Sequence, residues 1–300
     1  MLAFVLSGAG NRGPLEVGAL RALFEAGIVP DMLVGTSAGA INASYVAAHG
    51  ATVATTEALG DLWRGVTTDT IYPENPLQVA WRLRSRALSL YSSTAMRAML
   101  AANLPATFGD LAIKLYTPST DLTRHRLYVF GDDPTAALVD AVLASASVPV
   151  VHPPVQLGDL HLVDGAALAN VPASIAMDKG ADTIYVVNAA YGGGQMAAPK
   201  GVLNVLGLTF STMIGASLLE DIDRAKQDPD VDLYHIHLPD FSGLSFMDFS
   251  QTDAMIEAGY QRAKAYLAAP PPAFVPAAAD ETPFAPGEAG AETYAPPFMR

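Results

Sequence analysis

Residues 32–42 read Met-Leu-Val-Gly-Thr-Ser-Ala-Gly-Ala-Ile-Asn, and they join a short apolar strand to a helix rich in small residues. The central Gly35-Thr36-Ser37-Ala38-Gly39 fits the pattern G-x-S-x-G. Between a strand and a helix this pattern is typical of a nucleophile elbow, because the glycines leave room for a serine on a sharp turn. The start of a helix also favours the negative charge that develops during acyl transfer. Ser37 is therefore a candidate nucleophile; the alternative is an ordinary strand-to-helix turn.

Strand-like and helical stretches alternate on both sides of this motif. Short apolar runs predict strands at 3–6, 32–34, 112–116, 126–130, 183–189 and 231–238. Helical spacing of apolar residues predicts helices at 14–26, from the elbow to about 48, and at 135–146, 172–179, 202–225 and 251–267. Such alternation indicates an α/β fold built on a layered sheet with parallel strands.

The composition excludes several classes of protein. Seventeen Lys and Arg residues against 30 Asp and Glu residues give a formal net charge of −13, so the field of the whole molecule would repel nucleic acid. The chain has no cysteine, which excludes disulfides, thiolate nucleophiles and cysteine-ligated metals. With 51% hydrophobic and 16% charged residues, its 300 residues suit one large globular domain.

The sequence predicts a soluble, cytoplasmic protein. The first residues carry no basic region, and their apolar run stops at Leu6, too early for a signal peptide. Two uncharged stretches approach the length of a bilayer span, but polar residues dilute both 32–56 and 201–219.

Two further segments differ from the α/β pattern. Residues 77–100 contain no acidic residue and include Arg82, Arg84, Arg86 and Arg97 among apolar side chains, so we expect either a lipid-facing element or an ordinary surface helix pair. Residues 269–300 hold 8 of the 22 prolines, which predicts an acidic, disordered tail outside a domain of residues 1–268. We expect 77–100 and 200–225 to supply the lid and walls of a cleft.

A glycine-rich loop, Gly8-Ala9-Gly10-Asn11-Arg12-Gly13, follows the first predicted strand. It could be a plain βα turn, or the G-x-G-x-x-G fingerprint of a dinucleotide site. Asp31 lies before the second strand rather than after it, which disfavours the dinucleotide site. In a third interpretation, the loop lies beside Ser37 in a parallel sheet and its N–H groups form an oxyanion hole.

Asp164 is the best candidate for the acidic partner of such a serine. It ends the apolar run Leu162-Val163 and precedes Gly165 and Ala166, although an aspartate that caps a turn is a common alternative. None of the six histidines lies in a motif that marks it as a catalytic base.

Taken in this order, the glycine loop, the elbow and Asp164-Gly165-Ala166 resemble the motifs of the patatin-like phospholipase family. The sequence around Asp164 also resembles the family, at residues 144–149, 152–154 and 170–172. The resemblance therefore covers about residues 1–190. The family often has three consecutive glycines where this chain has Gly8-Ala9-Gly10, so we expect a slightly different loop shape.

This resemblance implies a bacterial patatin-like serine acyl hydrolase with a three-layer α/β fold, in which helices flank both faces of a mostly parallel central sheet. It implies Ser37 as nucleophile, Asp164 as its partner in a dyad without histidine, and no metal or organic cofactor. The oxyanion hole would be the backbone of Gly8 to Gly13, with Arg12 near the developing charge. The implied substrates are acyl esters: phospholipids, lysophospholipids, glycerolipids or simpler esters.

The dyad requires an aspartate that is more basic than usual. An ordinary aspartate has a pKa near ~4 and is a weak base towards a hydroxyl group. Burial beside the apolar residues before Asp164 would raise that pKa.

Two other functions stay open. The same fold could bind a lipid or a protein partner without turnover, or the chain could be an α/β-hydrolase whose Ser-His-Asp triad uses His235 or His237. We also expect transient contact with a membrane surface through Arg82, Arg84 and Arg86, and a peripheral location if that contact forms.

Overall fold

The computed structural model describes residues 1–190 apart from 75 and 86, individual positions between 205 and 227, and residues 228–269 apart from 242. Each described position between 205 and 227 is helical, and the rest of the predicted 202–225 helix lies outside the described residues. So do Arg86 and residues 270–300 of the predicted tail.

Eight strands form one mixed sheet: β1 (Leu2–Leu6), β2 (Met32–Gly35), β3 (Lys114–Asp121), β4 (Arg126–Phe130), β5 (Val155–Leu157), β6 (Leu160–Asp164), β7 (Thr183–Asn188) and β8 (Asp232–His237). Their order is β5-β6-β3-β2-β1-β7-β8, with β4 also paired to β3. The pairs β3-β2, β2-β1, β1-β7 and β7-β8 are all parallel, as the alternating pattern predicts. The β4, β5 and β6 strands add antiparallel pairs.

The described helices of four residues or more are α1 (Gly13–Glu25), α2 (Ala38–His49), α3 (Val53–Arg64), α4 (Thr68–Ile71), α5 (Pro76–Arg84), α6 (Thr94–Asn103), α7 (Leu138–Ser145), α8 (Ala173–Asp178) and α9 (Thr252–Ala268). Within the described ranges, every helix is too short or too polar to cross a bilayer.

Alternate residues of the central strands face two separate cores. Phe4 and Leu6 pack with apolar residues of α1, α2, α3, α6, α7 and α9, whereas Ala3 and Val5 pack with α8. Ile222 belongs to the second core. The period of two along buried parallel strands thus produces three layers, with helices on both faces of the sheet.

The first and last described helices cross at two glycines. A Cβ at Gly18 of α1 would collide with the backbone of Ile256 and Tyr260 in α9, and a Cβ at Gly259 would collide with the carbonyl of Leu15. The absence of side chains at Gly18 and Gly259 lets the two backbones touch, which fixes α1 against α9.

The strand β3 brings two distant chain segments together. Its first part pairs in parallel with β2, and its second part pairs antiparallel with β6. The end of β2 and the end of β6 therefore approach each other from opposite directions. The Thr117 hydroxyl of β3 donates a 2.8 Å hydrogen bond to the Gly35 carbonyl and fixes the end of β2 at this junction.

Candidate active site

Ser37 occupies a strained turn between β2 and α2. Its φ of 55° and ψ of −121° lie outside the regions that residues with a side chain usually adopt, at a cost of about 1–3 kcal/mol. The Ser37 amide donates to the Ser145 hydroxyl at 3.1 Å, and the Gly39 amide donates to the Ser7 carbonyl at 3.1 Å. Because a Cβ at Gly39 would clash with that same carbonyl, glycine is required where the helix meets β1. Strain held in place this way is typical of a functional serine.

Asp164 lies opposite this turn, at the end of β6. The Ser37 hydroxyl donates a 2.7 Å hydrogen bond to Asp164 Oδ2. Asp164 Oδ1 accepts the Ala166 amide at 2.8 Å, while the Asp164 amide donates to the Ser147 carbonyl at 2.9 Å. The Ala166 amide thus holds one carboxylate oxygen while the other faces the serine, and the Ser147 carbonyl fixes the backbone of Asp164.

The turn after Asp164 is equally tight. Gly165 begins a short 3₁₀ turn at 165–167, and a Cβ there would collide with the Pro118 carbonyl of β3. Gly165 therefore lets β6 end against β3, and Ala166 supplies the amide that orients the carboxylate.

Burial changes the acidity of this carboxyl group. Asp164 is 1% exposed, and its burial raises the pKa to about 7 against the opposing effects of the Ala166 amide and the Ser37 hydroxyl. The direction agrees with the expectation drawn from the apolar residues before Asp164. A carboxylate with such a pKa is a stronger base than an ordinary aspartate and is still largely ionised just above neutral pH.

The glycine loop offers amides next to the serine. The Gly8 amide donates a 3.0 Å hydrogen bond to the Asn170 carbonyl. The amides of Ala9 and Gly10 have no acceptor in range among the residues that the structure describes. Ala9 has a φ of −125°, so its methyl group causes no backbone strain, and Gly10 takes the left-handed φ of 57°. Ala9 and Gly10 are therefore the candidate oxyanion donors within this loop.

Of the loop residues, Gly10 and Asn11 line the cavity beside Ser37. Arg12 is fully buried, and its charge lowers the pKa of Glu16 in α1 against the larger effect of burial. Gly13 begins α1, where a Cβ would clash with the ring of Trp63. The expected roles of Arg12 and Gly13 at the oxyanion hole stay predictions.

A buried polar network supports the loop from α1. Glu16 accepts hydrogen bonds from the Ser7 hydroxyl and the Asn42 amide, both at 2.9 Å, and Asn42 accepts one from Trp63 Nε1 at 2.7 Å. Burial is the largest influence on Glu16 and raises its pKa to about 8, so its carboxyl group is mostly protonated at neutral pH.

Ser37 opens into a narrow cavity of about 60 Å³. Most of its walls are apolar, and the lining residues come from six separate parts of the chain. They are Gly10, Asn11, Ser37, Ala38, Ile41, Leu62, Trp63, Val66, Ile71, Tyr72, Met96, Met99, Ala146, Val148, His152, Phe246 and Phe249. An apolar cavity that ends at a nucleophile suits a hydrocarbon chain attached to the reacting group.

One wall comes from Phe246 and Phe249, in a segment that no sequence pattern singled out. Phe246 and Phe249 contribute their rings, and the side-chain amide of Asn11 donates to the carbonyls of Ser245 and Asp248 at 2.9 and 2.6 Å. Asn11 therefore connects the glycine loop to this wall. A polar residue in the loop was visible in the sequence, but its partner more than 230 positions away was not.

The two predicted cleft elements contribute unequally. From 77–100, Met96 and Met99 of α6 line the cavity. From 200–225, Ile222 and Ala225 pack in the core on the opposite face of the sheet. The role of the rest of 200–225 stays a prediction because most of it lies outside the described residues.

Of the arginines predicted to meet a membrane, Arg82 has partners inside the protein. Its guanidinium donates to the Ser89 carbonyl at 3.1 Å and the Ser89 hydroxyl at 3.0 Å. Arg84 is exposed, and Arg86 lies outside the described residues.

The histidines considered for a triad lie away from the dyad. His235 is on β8, where its Nε2 is 3.1 Å from Asn188 Nδ2, and neither His235 nor His237 is among the cavity-lining residues. Among the described residues, no three His, Asp or Glu side chains are grouped closely enough to hold a metal ion.

Comparison with known proteins agrees with the fold and with the arrangement of the motifs. A sequence profile of the patatin-like phospholipase family matches residues 4–177, which include the glycine loop, the elbow and Asp164. The chain belongs to the patatin-like phospholipase family, whose members are lipid hydrolases.

Relatives cover nearly the whole chain. An uncharacterised NTE family protein of Mycobacterium tuberculosis is 29% identical over 90% of this chain and 47% of its own length. Lysophospholipase nte1 of Aspergillus niger is 24% identical over 89% of this chain and 18% of its own length. The chain thus spans less than half the length of these curated relatives. Among solved structures, VipD of Legionella pneumophila has a TM-score of 0.48 and 17% identity, covering 89% of this chain and 66% of its own.

Proposed function

We propose that the chain is a lipid acyl hydrolase of the phospholipase A, lysophospholipase or carboxylesterase type, with Ser37 and Asp164 as its catalytic dyad. The observation that carries the proposal is the 2.7 Å hydrogen bond from a strained, buried serine hydroxyl to a buried carboxylate. Membership of the family supports the reaction class, and the apolar cavity beside Ser37 supports an acyl chain as the bound group.

In the first half-reaction, Ser37 Oγ attacks the ester carbonyl carbon and its proton passes to Asp164 Oδ2. The amides of Ala9 and Gly10 stabilise the negative oxygen of the tetrahedral intermediate. When the ester C–O bond breaks, the proton moves from Asp164 to the departing alkoxide. The products of this step are the alcohol and an ester between Ser37 and the acyl group.

In the second half-reaction, a water molecule attacks the acyl-serine while Asp164 accepts its proton. Collapse of the intermediate breaks the bond between Oγ and the acyl carbon, and Asp164 returns the proton to Ser37 Oγ. The fatty acid leaves and the dyad is regenerated. One carboxylate can serve both halves because its raised pKa of about 7 lets it accept and release a proton near neutral pH.

Labelling with a fluorophosphonate probe tests the nucleophile directly. We expect the wild-type protein to be modified at Ser37, as located by peptide mass mapping, and Asp164→Asn to react at least ~100-fold more slowly because general-base assistance is lost. Asparagine keeps the size of the side chain and can still accept the Ala166 amide.

The control for this labelling is Ser147→Ala, since Ser147 is a buried serine nearby whose hydroxyl bonds only to the Leu143 carbonyl at 2.7 Å. Labelling of folded Asp164→Asn at the wild-type rate would refute the dyad. Binding of lipid by wild type without labelling or turnover would favour the non-catalytic alternative.

We further propose that α5 and the residues after it touch a membrane surface during turnover. Leu77, Trp81 and Leu88 are 81%, 68% and 74% exposed, and Arg84 is exposed beside them. In the sequence, this apolar and basic segment lies between Ile71 and Met96, both of which line the cavity. Such a combination suits an anionic lipid interface even in an acidic protein.

Vesicle binding tests this contact. We expect Trp81→Ala to weaken binding to phosphatidylglycerol vesicles by about 10-fold. The variant lacks the aromatic ring whose transfer from water into the lipid would stabilise the bound state. Co-sedimentation measures the effect, and Val29→Ala is the matched control because Val29 is 50% exposed between α1 and β2. Equal loss of binding in both variants, or no loss in Trp81→Ala, would contradict the proposed surface.

A further inference from the structure

Residues 245–249, here called the wall turn, form part of the cavity without belonging to a helix or a strand. The wall turn lies between β8 and α9 in the chain, and its Phe246 and Phe249 line the cavity. The Asp248 amide donates to the Ser245 carbonyl at 2.9 Å. This bond closes the turn on itself but does not place it against the rest of the protein. Its position therefore depends on contacts with other parts of the chain.

Asn11 of the glycine loop holds the wall turn at both ends. Its side chain is buried, and Nδ2 donates to the Ser245 carbonyl at 2.9 Å and to the Asp248 carbonyl at 2.6 Å. Because carbonyls can only accept hydrogen bonds, the nitrogen of the Asn11 amide group, and not its oxygen, must lie against them. A carboxylate of the same size at this position would present only acceptors to the two carbonyls.

A second contact comes from α4. The Thr68 hydroxyl donates a 2.6 Å hydrogen bond to the Met247 carbonyl, which lies between the two carbonyls bound by Asn11. Thr68 is the first residue of α4, and Ile71 at the end of this helix lines the cavity. The wall turn is thus held by the glycine loop and by α4, through side chains that bind three of its backbone carbonyls.

Asn11 also relates the wall turn to the place of reaction. It directly follows Gly10, whose amide is, with that of Ala9, a candidate donor to the oxyanion. The ester carbonyl would therefore lie beside the residue that holds Phe246 and Phe249. The contacts of Asn11 then set how many carbon atoms separate that carbonyl from the part of the acyl chain that meets these two side chains.

We infer that Asn11 and Thr68 are positioning residues that hold the wall turn and thereby determine how strongly the cavity prefers longer acyl chains to shorter ones. This inference rests on the proposed function in one respect, that the cavity holds the acyl chain. Each methylene group that leaves water for an apolar wall strengthens binding by about 4-fold. A displaced wall turn loses this gain for the carbon atoms that lie against it, whereas a chain too short to reach it is affected less.

Binding measured without turnover tests this inference. Calorimetry on the full chain carrying Ser37→Ala compares methyl octanoate with methyl butanoate, and the ratio of the two dissociation constants measures the preference for the longer chain. We expect the octanoate to bind more tightly to this parent protein. Adding Asn11→Asp should reduce the ratio by about 4-fold or more, the contribution of at least one methylene group. Thr68→Val keeps the shape of the side chain without the hydroxyl group and should change the ratio in the same direction.

Two matched variants distinguish positioning from a general loss of stability. Thr68→Ser retains the hydroxyl group and should retain the ratio of the parent protein. Thr56→Val removes a hydroxyl group that donates to the Val53 carbonyl at 2.7 Å within α3, and it should retain the ratio as well. An unchanged ratio in folded Asn11→Asp or folded Thr68→Val would overturn the role of that residue, and equal reductions in Thr68→Val and Thr56→Val would overturn the inference. If Asn11→Asp does not fold, the comparison of Thr68→Val with Thr68→Ser decides.

This design separates the inference from the proposed function. Failure of wild type to hydrolyse any ester would refute catalysis, while the binding ratios would still test the wall turn. Hydrolysis by wild type together with unchanged ratios in the variants would support catalysis and refute the positioning role. Equal binding of octanoate and butanoate by the parent protein would mean that no acyl chain lies against the wall turn, and would also overturn the inference.

Discussion

Ser37→Ala is expected to lower kcat/KM for ester hydrolysis by at least ~10⁴-fold, because a hydrolase that loses its nucleophile keeps only binding and oxyanion stabilisation. Hydrolysis of a chromogenic fatty-acyl ester measures this loss. The fold should persist, since the hydroxyl group that is removed makes a single hydrogen bond, to Asp164 Oδ2. In this variant the Asp164 carboxylate loses the hydrogen bond from Ser37 but keeps the one from the Ala166 amide.

Ser44→Ala is the matched control for this measurement. Ser44 lies in the same helix, is fully buried and donates only to the Ile41 carbonyl at 2.9 Å. Wild-type hydrolysis by Ser37→Ala, or an equal loss in both variants, would mean that Ser37 is not the nucleophile.

The second large effect concerns pH. Asp164 must be ionised to accept the serine proton, and its pKa is raised to about 7 by burial. Below that pH the carboxyl group is protonated, so kcat/KM should fall about 10-fold for each pH unit towards about pH 5 and should level off above about pH 7. A pH profile of kcat/KM measures the pKa in the free enzyme.

A control variant and a stability measurement assign this pKa to Asp164. Glu16→Gln removes a second buried acid with a raised pKa and should leave the midpoint near pH 7. Because the folded-state pKa of Asp164 is raised above its unfolded value of 3.8, ionisation penalises the folded wild type as the pH rises. Asp164→Asn should therefore gain stability relative to wild type between about pH 4 and pH 7, by about 4 kcal/mol in the free energy of unfolding. A rate midpoint near pH 4, or no such gain, would contradict the raised pKa.

The sequence predicted the parts of the site that local backbone geometry defines. Ser37, Asp164 and the glycine loop each sit where an apolar strand ends in a tight turn, and such turns restrict which residues can occupy them. The parallel core of the sheet followed from alternating strands and helices for the same reason. The antiparallel β5 escaped prediction because three residues are too few to establish a period.

The cavity walls were not predictable in this way. Trp63, Tyr72, His152 and Phe249 come from separate segments, and no local pattern states which of them meet. The burial of Arg12 was not predictable either: the residue is fully buried and its charge acts on Glu16, while its expected role near the oxyanion stays a prediction. For Arg82, the partners Ser89 and Tyr91 are near in sequence, but an arginine among apolar residues has no signature that distinguishes an internal contact from a lipid contact.

The glycine crossing between α1 and α9 has a consequence for biosynthesis. Gly259 emerges from the ribosome about 240 residues after its counterpart, Gly18. At about 5–20 residues per second, the inner face of α1 waits roughly 10–50 s for its partner. The helix that follows the glycine loop therefore gains this packing partner only after α9 has been synthesised.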